Sequence, residues 1–417
     1  MATKRYTLLN ILLLLPLFAL NLFYAWRYAG IDIDPDFALF NMAGQTGAWY
    51  GRDFADCKSP LVHIWFWLLS KIWPSVYGVR FLHFTITGIP GMIYTGLTGD
   101  MWGGLAFIVL VHSGFLMAFH GNVGDIPAGL ILLALTIKNP WVAFGAFVLA
   151  VLYEPKLIVA LIAWWASGGF WWQSVVFGLI GVAGLGLIWY FKHEWFEWLI
   201  EANITIPKRM NKSRKGLYSW MPPFTAGCMV YLGMWVVHAG NVRPDIVYWL
   251  PAILFLLLMF VGKVIRPNHL IPLIPWVAAA GLEPGYVVAL LGVEMLGGGF
   301  YHGDIWARFY PGLRDVIKEA KEIGLWLKEK PGTLWANTMY SEIYIWSKKP
   351  PVYAMTEQIE IAQVATERRE IMKYKFAKNP PTWVVIHKAH PVSIRFDPNG
   401  YHPVAQSIFF AIYRKDN

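Results

Sequence analysis

The charged residues of this 417-residue chain are spread very unevenly along its length. Residues 1–300 carry 32 charged side chains, whereas residues 301–417 carry 29 in a segment less than half as long. An ordinary soluble domain has about 25% charged residues, so the second segment is typical of one and the first is far too apolar. The sequence therefore predicts a membrane domain at 1–309 and a water-soluble domain at 310–417.

Apolar runs in the first part predict membrane-spanning helices. The first run, residues 6–26, has about the 20 residues needed to cross a bilayer. No small-residue cleavage site follows it, so we expect a retained helix, and Lys4 and Arg5 favour a cytoplasmic N-terminus. Further runs, some of them short, bring the expected total to about 11 spans. The predicted fold class is mainly α, a polytopic membrane helical bundle with a C-terminal soluble α/β domain.

An odd number of spans places this soluble domain outside the cytoplasm, across the plasma membrane from the N-terminus. Within it, residues 311–330 and 357–376 have helical apolar spacing. The segments TLWANT, TWVVIH and IFFAIY have the composition of strands. We therefore expect a small α/β domain on the extracytoplasmic side.

The net charge of +9 indicates an anionic partner. No nucleic-acid-binding motif is present, so we expect anionic membrane lipids and no nucleic acid. Cys57 and Cys228, the two cysteines, form no metal-binding spacing, and no metal site is predicted from them.

The first long interruption of the apolar pattern is the loop at residues 27–77. Two amphipathic stretches within it, near 35–50 and 59–73, carry Trp, Phe and Leu on one side. This pattern predicts two helices that lie in the membrane interface.

Three charged residues of this loop are candidates for chemistry. Asp34 and Asp36 follow the first span, where a carboxylate can act as a general base. Alternatively, these acids cap the helix that follows them. Lys58 is either a cation that binds an anionic ligand or a lysine that extends its charge from the interface into water.

Residues 32–67 together resemble a known family. The segment YGRDFADCKSPL is similar to the stretch Y-R-D-F-x-D-x-K-P-P-L of the GT-C glycosyltransferases of the protein O-mannosyltransferase and aminoarabinose transferase type. Lys58 stands at the position of the lysine in that stretch. In that family an acidic pair and a short amphipathic helix precede this stretch, as they do here. The departures are one extra glycine after the tyrosine, and Ser59 in place of the first proline.

The resemblance continues more weakly along the chain. Arg80 in VRFLHFTITG is similar to the arginine that opens the second span. Asp125 in GNVGDIPAGLILLAL is similar to a second acidic motif, although it could instead cap the helix that follows. Arg266 and His269 in RPNHLIPLIP resemble the stretch R-x-x-H-Y-x-x-P of a late span, with Leu270 where an aromatic residue is usual.

Residues 192–220 form a basic segment that the predicted topology places outside. Basic clusters normally stay in the cytoplasm, so either the span count differs or these cations bind a phosphate-bearing ligand. Lys208 and Arg209 are our candidates for phosphate contacts. The alternative is a solvated basic loop that meets anionic headgroups.

The resemblance implies an inverting glycosyltransferase of the cell envelope. Its donor is a polyprenyl-phosphate-linked sugar, and its acceptor is a glycan, a lipid or a protein. Asp34, or alternatively Asp36, is then the base, and Lys58 contacts the donor phosphate. Asp125 orients sugar or acceptor hydroxyls. Related families differ in whether they need a divalent metal ion, so no particular cofactor is implied.

Two other classes of protein remain alternatives. A polytopic lipid or solute transporter or flippase would also be a bundle of spans, but transporters usually show paired repeats and polar groups at mid-membrane. This sequence has no detectable repeat, and its charges cluster at one membrane face and not at the midplane. A non-catalytic partner in a membrane complex would have no need of Asp34, Asp36 and Lys58.

Overall fold

We analysed a computed structural model of the chain. It describes residues 8–30, 35–49, 53–55, 59–112, 124–166, 169–191, 312–337, 340–352, 366–388 and 398–416, with shorter stretches between 193 and 288 and at 354–355 and 396. Of the described residues, 73% are helical, and a small sheet accounts for most of the strands. The mainly α class with a small sheet is therefore confirmed.

The chain divides into two compact units, which we name the helical unit and the sheet unit. The helical unit comprises Met1–Ile31, Arg80–Gly184 and Arg214–Ile305, and the sheet unit comprises Asp32–Val79, Leu185–Ser213 and Trp306–Asn417. The segment predicted as a separate C-terminal domain thus lies in the sheet unit. So does most of the loop at 27–77, which the sequence-based division placed with the membrane domain.

Thirteen α-helices have described boundaries within these residues. They are α1 (Leu8–Ala29), α2 (Pro35–Thr46), α3 (Pro60–Ile72), α4 (Val76–Thr98), α5 (Met101–Val111), α6 (Asp125–Thr136), α7 (Pro140–Tyr153), α8 (Ala160–Ala166), α9 (Trp171–Phe191), α10 (Ile274–Ala279), α11 (Leu313–Lys328), α12 (Glu342–Ser347) and α13 (Thr366–Lys378). The strands are β1 (Phe54–Ala55), β2 (Leu334–Asn337), β3 (Ala354–Met355), β4 (Trp383–His387), β5 (Tyr401–Gln406) and β6 (Phe410–Lys415).

Close packing in the helical unit depends on glycines at helix crossings. A Cβ added to Gly91 on α4 would lie 2.8 Å from the carbonyl oxygen of Gly104 on α5. A Cβ on Gly103 would lie 2.6 Å from the carbonyl oxygen of Ala278 on α10. Small residues at such positions let helix backbones approach closely, which is the usual packing of helices in membranes.

One described helix, α9, is both long enough and apolar enough to cross a membrane. Its 21 residues expose large apolar side chains, and the most hydrophobic window is not buried in the protein at all. Five shorter apolar segments of 10–17 residues, including α5, α6 and α7, fall below that length. The count of about 11 spans therefore remains a prediction.

The sheet unit is built around a four-stranded sheet with the order β2-β4-β6-β5. Strands β2 and β4 are parallel, whereas β6 runs antiparallel to both of its neighbours. The predicted helix at 311–330 is confirmed as α11, and the three predicted strands are confirmed as β2, β4 and β6. The helix predicted at 357–376 is observed from Thr366 to Lys378 as α13, and β5 was not predicted.

Helices are present at both predicted places in the loop at 27–77, as α2 and α3. Their location in the membrane interface stays a prediction. Ser59 caps α3 by accepting a hydrogen bond from the backbone of Leu61, and Pro60 opens the first turn. The ring of Phe66 on α3 packs against Phe37 and Phe40 on α2, at centroid distances of 4.9 and 5.9 Å.

Two contacts join this loop to the later part of the sheet unit. Strand β1 pairs in parallel with β3. At the end of α2, Gln45 Oε1 accepts a hydrogen bond of 2.6 Å from Lys348 Nζ. Segments at least 300 residues apart in sequence therefore fold together.

Candidate functional site

The helical unit buries a histidine and a carboxylate in direct contact. His83 Nε2 lies 2.8 Å from Asp125 Oδ2, and the side chains of the two residues are only 1% and 0% exposed. Ionisable groups among apolar helices are costly to bury and are most often kept for function. This pair is therefore the candidate functional site.

The start of helix α6 positions the carboxylate. Asp125 is the first residue of α6, and its second oxygen, Oδ1, accepts a hydrogen bond of 2.7 Å from the backbone of Ile126. The N-cap position belongs to Gly124, so the capping interpretation of Asp125 is wrong in detail. The role of Asp125 in orienting hydroxyls stays a prediction. The partial positive charge of the helix N-terminus favours a negative carboxylate at this position.

Helix α4 positions the histidine and a cation. Arg80, His83 and Phe84 have the three- and four-residue spacing that places side chains on one face of a helix. Arg80 is buried, as the other two residues are. Its guanidinium therefore shares a helix face with the histidine that binds Asp125.

A second buried polar pair lies nearby, between α1 and the end of α5. His112 Nε2 is 2.9 Å from Asn21 Oδ1, and Asn21 Nδ2 donates to the carbonyl of Thr85 at 2.8 Å. The hydroxyl of Tyr28 donates to the carbonyl of His112 at 2.8 Å. Room for Asn21 depends on Gly88, because a Cβ there would lie 1.9 Å from Asn21 Oδ1.

Aromatic rings connect the two pairs. The ring of Phe84 lies 5.2 Å from that of His83 and 6.1 Å from that of His112. Tyr24 and Tyr28 stack on each other at 5.9 Å, and Tyr24 lies 5.3 Å from His112. The two histidines thus belong to one cluster lined by aromatic rings.

This cluster lies at one end of the helical unit. Its residues come from the last part of α1, the first part of α4, the C-cap of α5 and the first residue of α6. Because the chain direction alternates from helix to helix, these termini meet at the same end. The end of α1, five residues before Asp34 in the sequence, belongs to this end.

Two of the predicted site residues, Arg80 and Asp125, belong to this cluster. His83, Asn21 and His112 were not among the residues predicted from the sequence. Polar side chains within otherwise apolar runs were the signal that could have found them. Asp36 lies on α2, but its side chain is outside the described part of the chain. Six further candidates are outside the described residues altogether: Asp34, Lys58, Lys208, Arg209, Arg266 and His269.

The chemistry available to the cluster is proton transfer and hydrogen bonding. A carboxylate, two imidazoles and a guanidinium can orient hydroxyl groups and stabilise an anion. Among the described residues, no group of three or more His, Cys, Asp or Glu side chains is arranged to hold a metal ion.

Comparison with known proteins identifies no relative: no protein-family model matches the chain, and neither does any curated protein or solved structure. Its function therefore has to be inferred from its own residues.

Proposed function

We propose that this chain is an inverting glycosyltransferase of the membrane, which moves a sugar from a polyprenyl-phosphate-linked donor to a glycan, lipid or protein acceptor at the extracytoplasmic face. The observation that carries the proposal is the buried pair of His83 and Asp125 at the end of the bundle where α1 ends. Asp34 and Asp36, the acids of the family-like motif, follow α1 after five and seven residues.

The proposed setting is a polytopic bundle of about 11 spans in the plasma membrane, by the apolar runs and their lengths. Its N-terminus is cytoplasmic and its C-terminal domain extracytoplasmic. The exposed apolar surface of α9, together with buried ionisable groups among apolar helices, supports a membrane location. The orientation rests on Lys4, Arg5 and the odd number of predicted spans.

In the proposed reaction, an acceptor hydroxyl attacks the anomeric carbon of the donor sugar. Asp34, or alternatively Asp36, takes the hydroxyl proton as the new C–O bond forms, and the bond to the polyprenyl phosphate breaks. The phosphate leaves with additional negative charge. Fixed cations lower the barrier because they interact more strongly with that developing charge than with the ground state.

The roles of the other candidates follow from this reaction. Lys58 is the proposed contact to the leaving phosphate, and Arg80 is a further proposed substrate-binding cation. Asp125 accepts hydrogen bonds from sugar or acceptor hydroxyls, while His83 holds its carboxylate in place. Further phosphate contacts are proposed for residues of the later segments: Lys208, Arg209, Arg266 and His269.

A transporter or flippase is the second candidate, and the same buried pair favours it. Buried His and Asp side chains form proton relays in membrane transporters. The two functions differ in their products, because a transporter releases its substrate chemically unchanged whereas a transferase releases polyprenyl phosphate.

The decisive experiment incubates the purified protein with a panel of polyprenyl-phosphate sugars and acceptors, and measures released polyprenyl phosphate. Asp34→Asn should abolish transfer while donor binding and melting temperature stay close to wild type. Asparagine keeps the size of the side chain and can still cap a helix, but it cannot take a proton. Asp36→Asn is the matched control.

Loss of transfer in Asp36→Asn alone would assign the base to Asp36. Full transfer in both variants and in the double variant would remove the loop acids from catalysis. Movement of an unchanged lipid between leaflets of a vesicle, without release of polyprenyl phosphate from any donor, would instead establish the transporter.

The proposed donor contact has its own test. Lys58→Ala removes one fixed cation from the leaving phosphate, and losses for a stabilising group of this kind are about a hundredfold to a thousandfold in rate. Lys58→Arg keeps the charge and should recover part of the turnover. Near-normal turnover of a correctly folded Lys58→Ala protein would show that Lys58 only extends its charge from the interface into water.

A further inference from the structure

His112 has a buried ring nitrogen for which the described residues provide no hydrogen-bond partner. The residue is fully buried at the C-cap of α5, and its Nδ1 makes no hydrogen bond among the described residues. Buried polar atoms are nearly always hydrogen-bonded, and an exception calls for a water, a ligand or a catalytic role. The protonation of this nitrogen decides which kind of group it can bind.

The neighbouring amide determines the tautomer of His112. Asn21 Nδ2 donates to the carbonyl of Thr85, so the atom that faces His112 is the acceptor Oδ1. His112 Nε2 must then carry the proton, and its N–H donates a hydrogen bond to Asn21 Oδ1. In a neutral imidazole the other nitrogen is a bare acceptor, so Nδ1 offers a lone pair to an incoming donor.

The aromatic rings around His112 indicate which class of hydrogen-bond donor could bind its Nδ1 atom. The rings of Tyr24 and Phe84 lie 5.3 and 6.1 Å from the imidazole, and Tyr28 lies 6.4 Å from it. Aromatic faces carry partial negative charge and attract the slightly positive C–H groups of a sugar ring. A hydroxyl on such a ring supplies the missing hydrogen-bond donor.

We propose that His112 Nδ1 is a binding site for a sugar hydroxyl, in which Asn21 holds the imidazole in the accepting tautomer. This inference rests on the proposed function, because it assigns a sugar-binding residue to the same cluster as His83 and Asp125. The hydroxyl belongs either to the donor sugar or to a glycan acceptor. Kinetics distinguish the two sources.

Two substitutions test the contributions of the two ring nitrogens of His112 separately. The amide of His112→Gln reaches the position of Nε2 and can still donate to Asn21, but it leaves nothing at Nδ1. The amide of His112→Asn is shorter, so it offers an acceptor near Nδ1 and loses the contact with Asn21. The pair therefore tests ligand binding and structural support independently.

We expect His112→Gln to melt close to wild type and to raise one KM about tenfold, the cost of roughly one lost hydrogen bond. An increase in the donor KM identifies the donor sugar, and an increase in the acceptor KM identifies the acceptor. His112→Asn should melt at a lower temperature but retain more of the affinity. A folded His112→Gln protein with both KM values unchanged would overturn the proposal.

A second measurement does not depend on turnover. In protein labelled with ¹⁵N-histidine, the Nδ1 signal of His112 is assigned by its loss in His112→Gln. Octyl glucoside and octyl mannoside should shift it, whereas octyltrimethylammonium, which has no hydroxyl, should not. If no donor supports transfer but the sugar detergents shift the signal, the transferase proposal fails and the sugar site stands. Absence of a shift with either sugar detergent would overturn the site.

Discussion

The two units of this protein each contain a histidine in contact with an aspartate, and the two pairs differ greatly in burial. In the helical unit, His83 lies 2.8 Å from Asp125 and neither side chain reaches solvent. In the sheet unit, His402 lies 2.7 Å from Asp416, with the side chains 53% and 56% exposed. The N–O distances of the two pairs agree within 0.1 Å, whereas the exposed fractions of their side chains differ greatly.

Burial changes what such a pair does for the protein. At the surface, water screens both groups and the pair contributes little to folding. In the interior, a charged group loses several kcal/mol of hydration, roughly, and contact with a partner repays that cost only if both partners are present. A buried pair is therefore weak evidence for stability, and its retention in an apolar bundle is better explained by function.

The largest effect is expected from His83→Ala, which leaves the Asp125 carboxylate buried without its partner. Removing one member of a buried pair typically costs about 3–5 kcal/mol. We expect a large drop in melting temperature, and faster hydrogen exchange in peptides from α4 and α6, by mass spectrometry. Peptides from β5 and β6 should exchange as in wild type.

The double variant His83→Leu with Asp125→Leu sharpens this prediction. Replacing both members of a buried pair by apolar side chains is often neutral or stabilising, so most of the lost stability should return. Activity should not return, because the groups that contact hydroxyls are gone. A single His83→Ala variant as stable as wild type would mean that the buried contact contributes little to folding, and the contrast between the units would disappear.

Much of the sheet unit could be predicted from the sequence, because its pattern is local. Strand β4, WVVIH, is buried along almost its whole length and has the apolar, β-branched composition typical of a central strand. Strand β5, YHPVAQ, escaped prediction because it is an exposed edge strand with Pro403 inside it and no alternating apolar pattern. Edge strands lack the burial that produces such a pattern.

The candidate site of the helical unit could be predicted only in part. Arg80 and Asp125 were identified from short motifs, but their partners were not. His83 contacts a residue 42 positions away in sequence, and His112 contacts one 91 positions away. The periodicity of apolar residues in the sequence cannot predict such contacts, because they depend on which helix faces meet where two helices cross.

An intermediate effect is expected from Gly88→Ala, which tests how tightly the helices pack around Asn21. In Gly88→Ala, the new methyl group would lie 1.9 Å from Asn21 Oδ1, so Asn21 must move and the contact with His112 is lost. Overpacking of this kind costs about 1–3 kcal/mol. Thermal unfolding of the purified protein measures the loss.

Gly96→Ala on the same helix is the matched control. A Cβ at Gly96 meets nothing within 4 Å, so that variant should be neutral or slightly more stable, because alanine favours a helix by about 0.5–1 kcal/mol over glycine. Equal melting temperatures for the two variants would show that the helical unit adapts easily around Asn21.

The smallest effect is expected from His402→Ala, which breaks the exposed pair between β5 and the end of β6. Measured exposed ion pairs contribute about 0.2–1 kcal/mol, and added salt reduces that value further. We expect a melting temperature within a few degrees of wild type at low ionic strength, and a smaller difference in high salt. Transfer activity should be unchanged, since the proposed chemistry uses no group of this pair. The salt dependence is the most discriminating measurement. The loss of stability in His83→Ala should persist in high salt, because solvent does not reach that buried pair. If His402→Ala were as destabilising as His83→Ala, burial would not explain the difference between the two units.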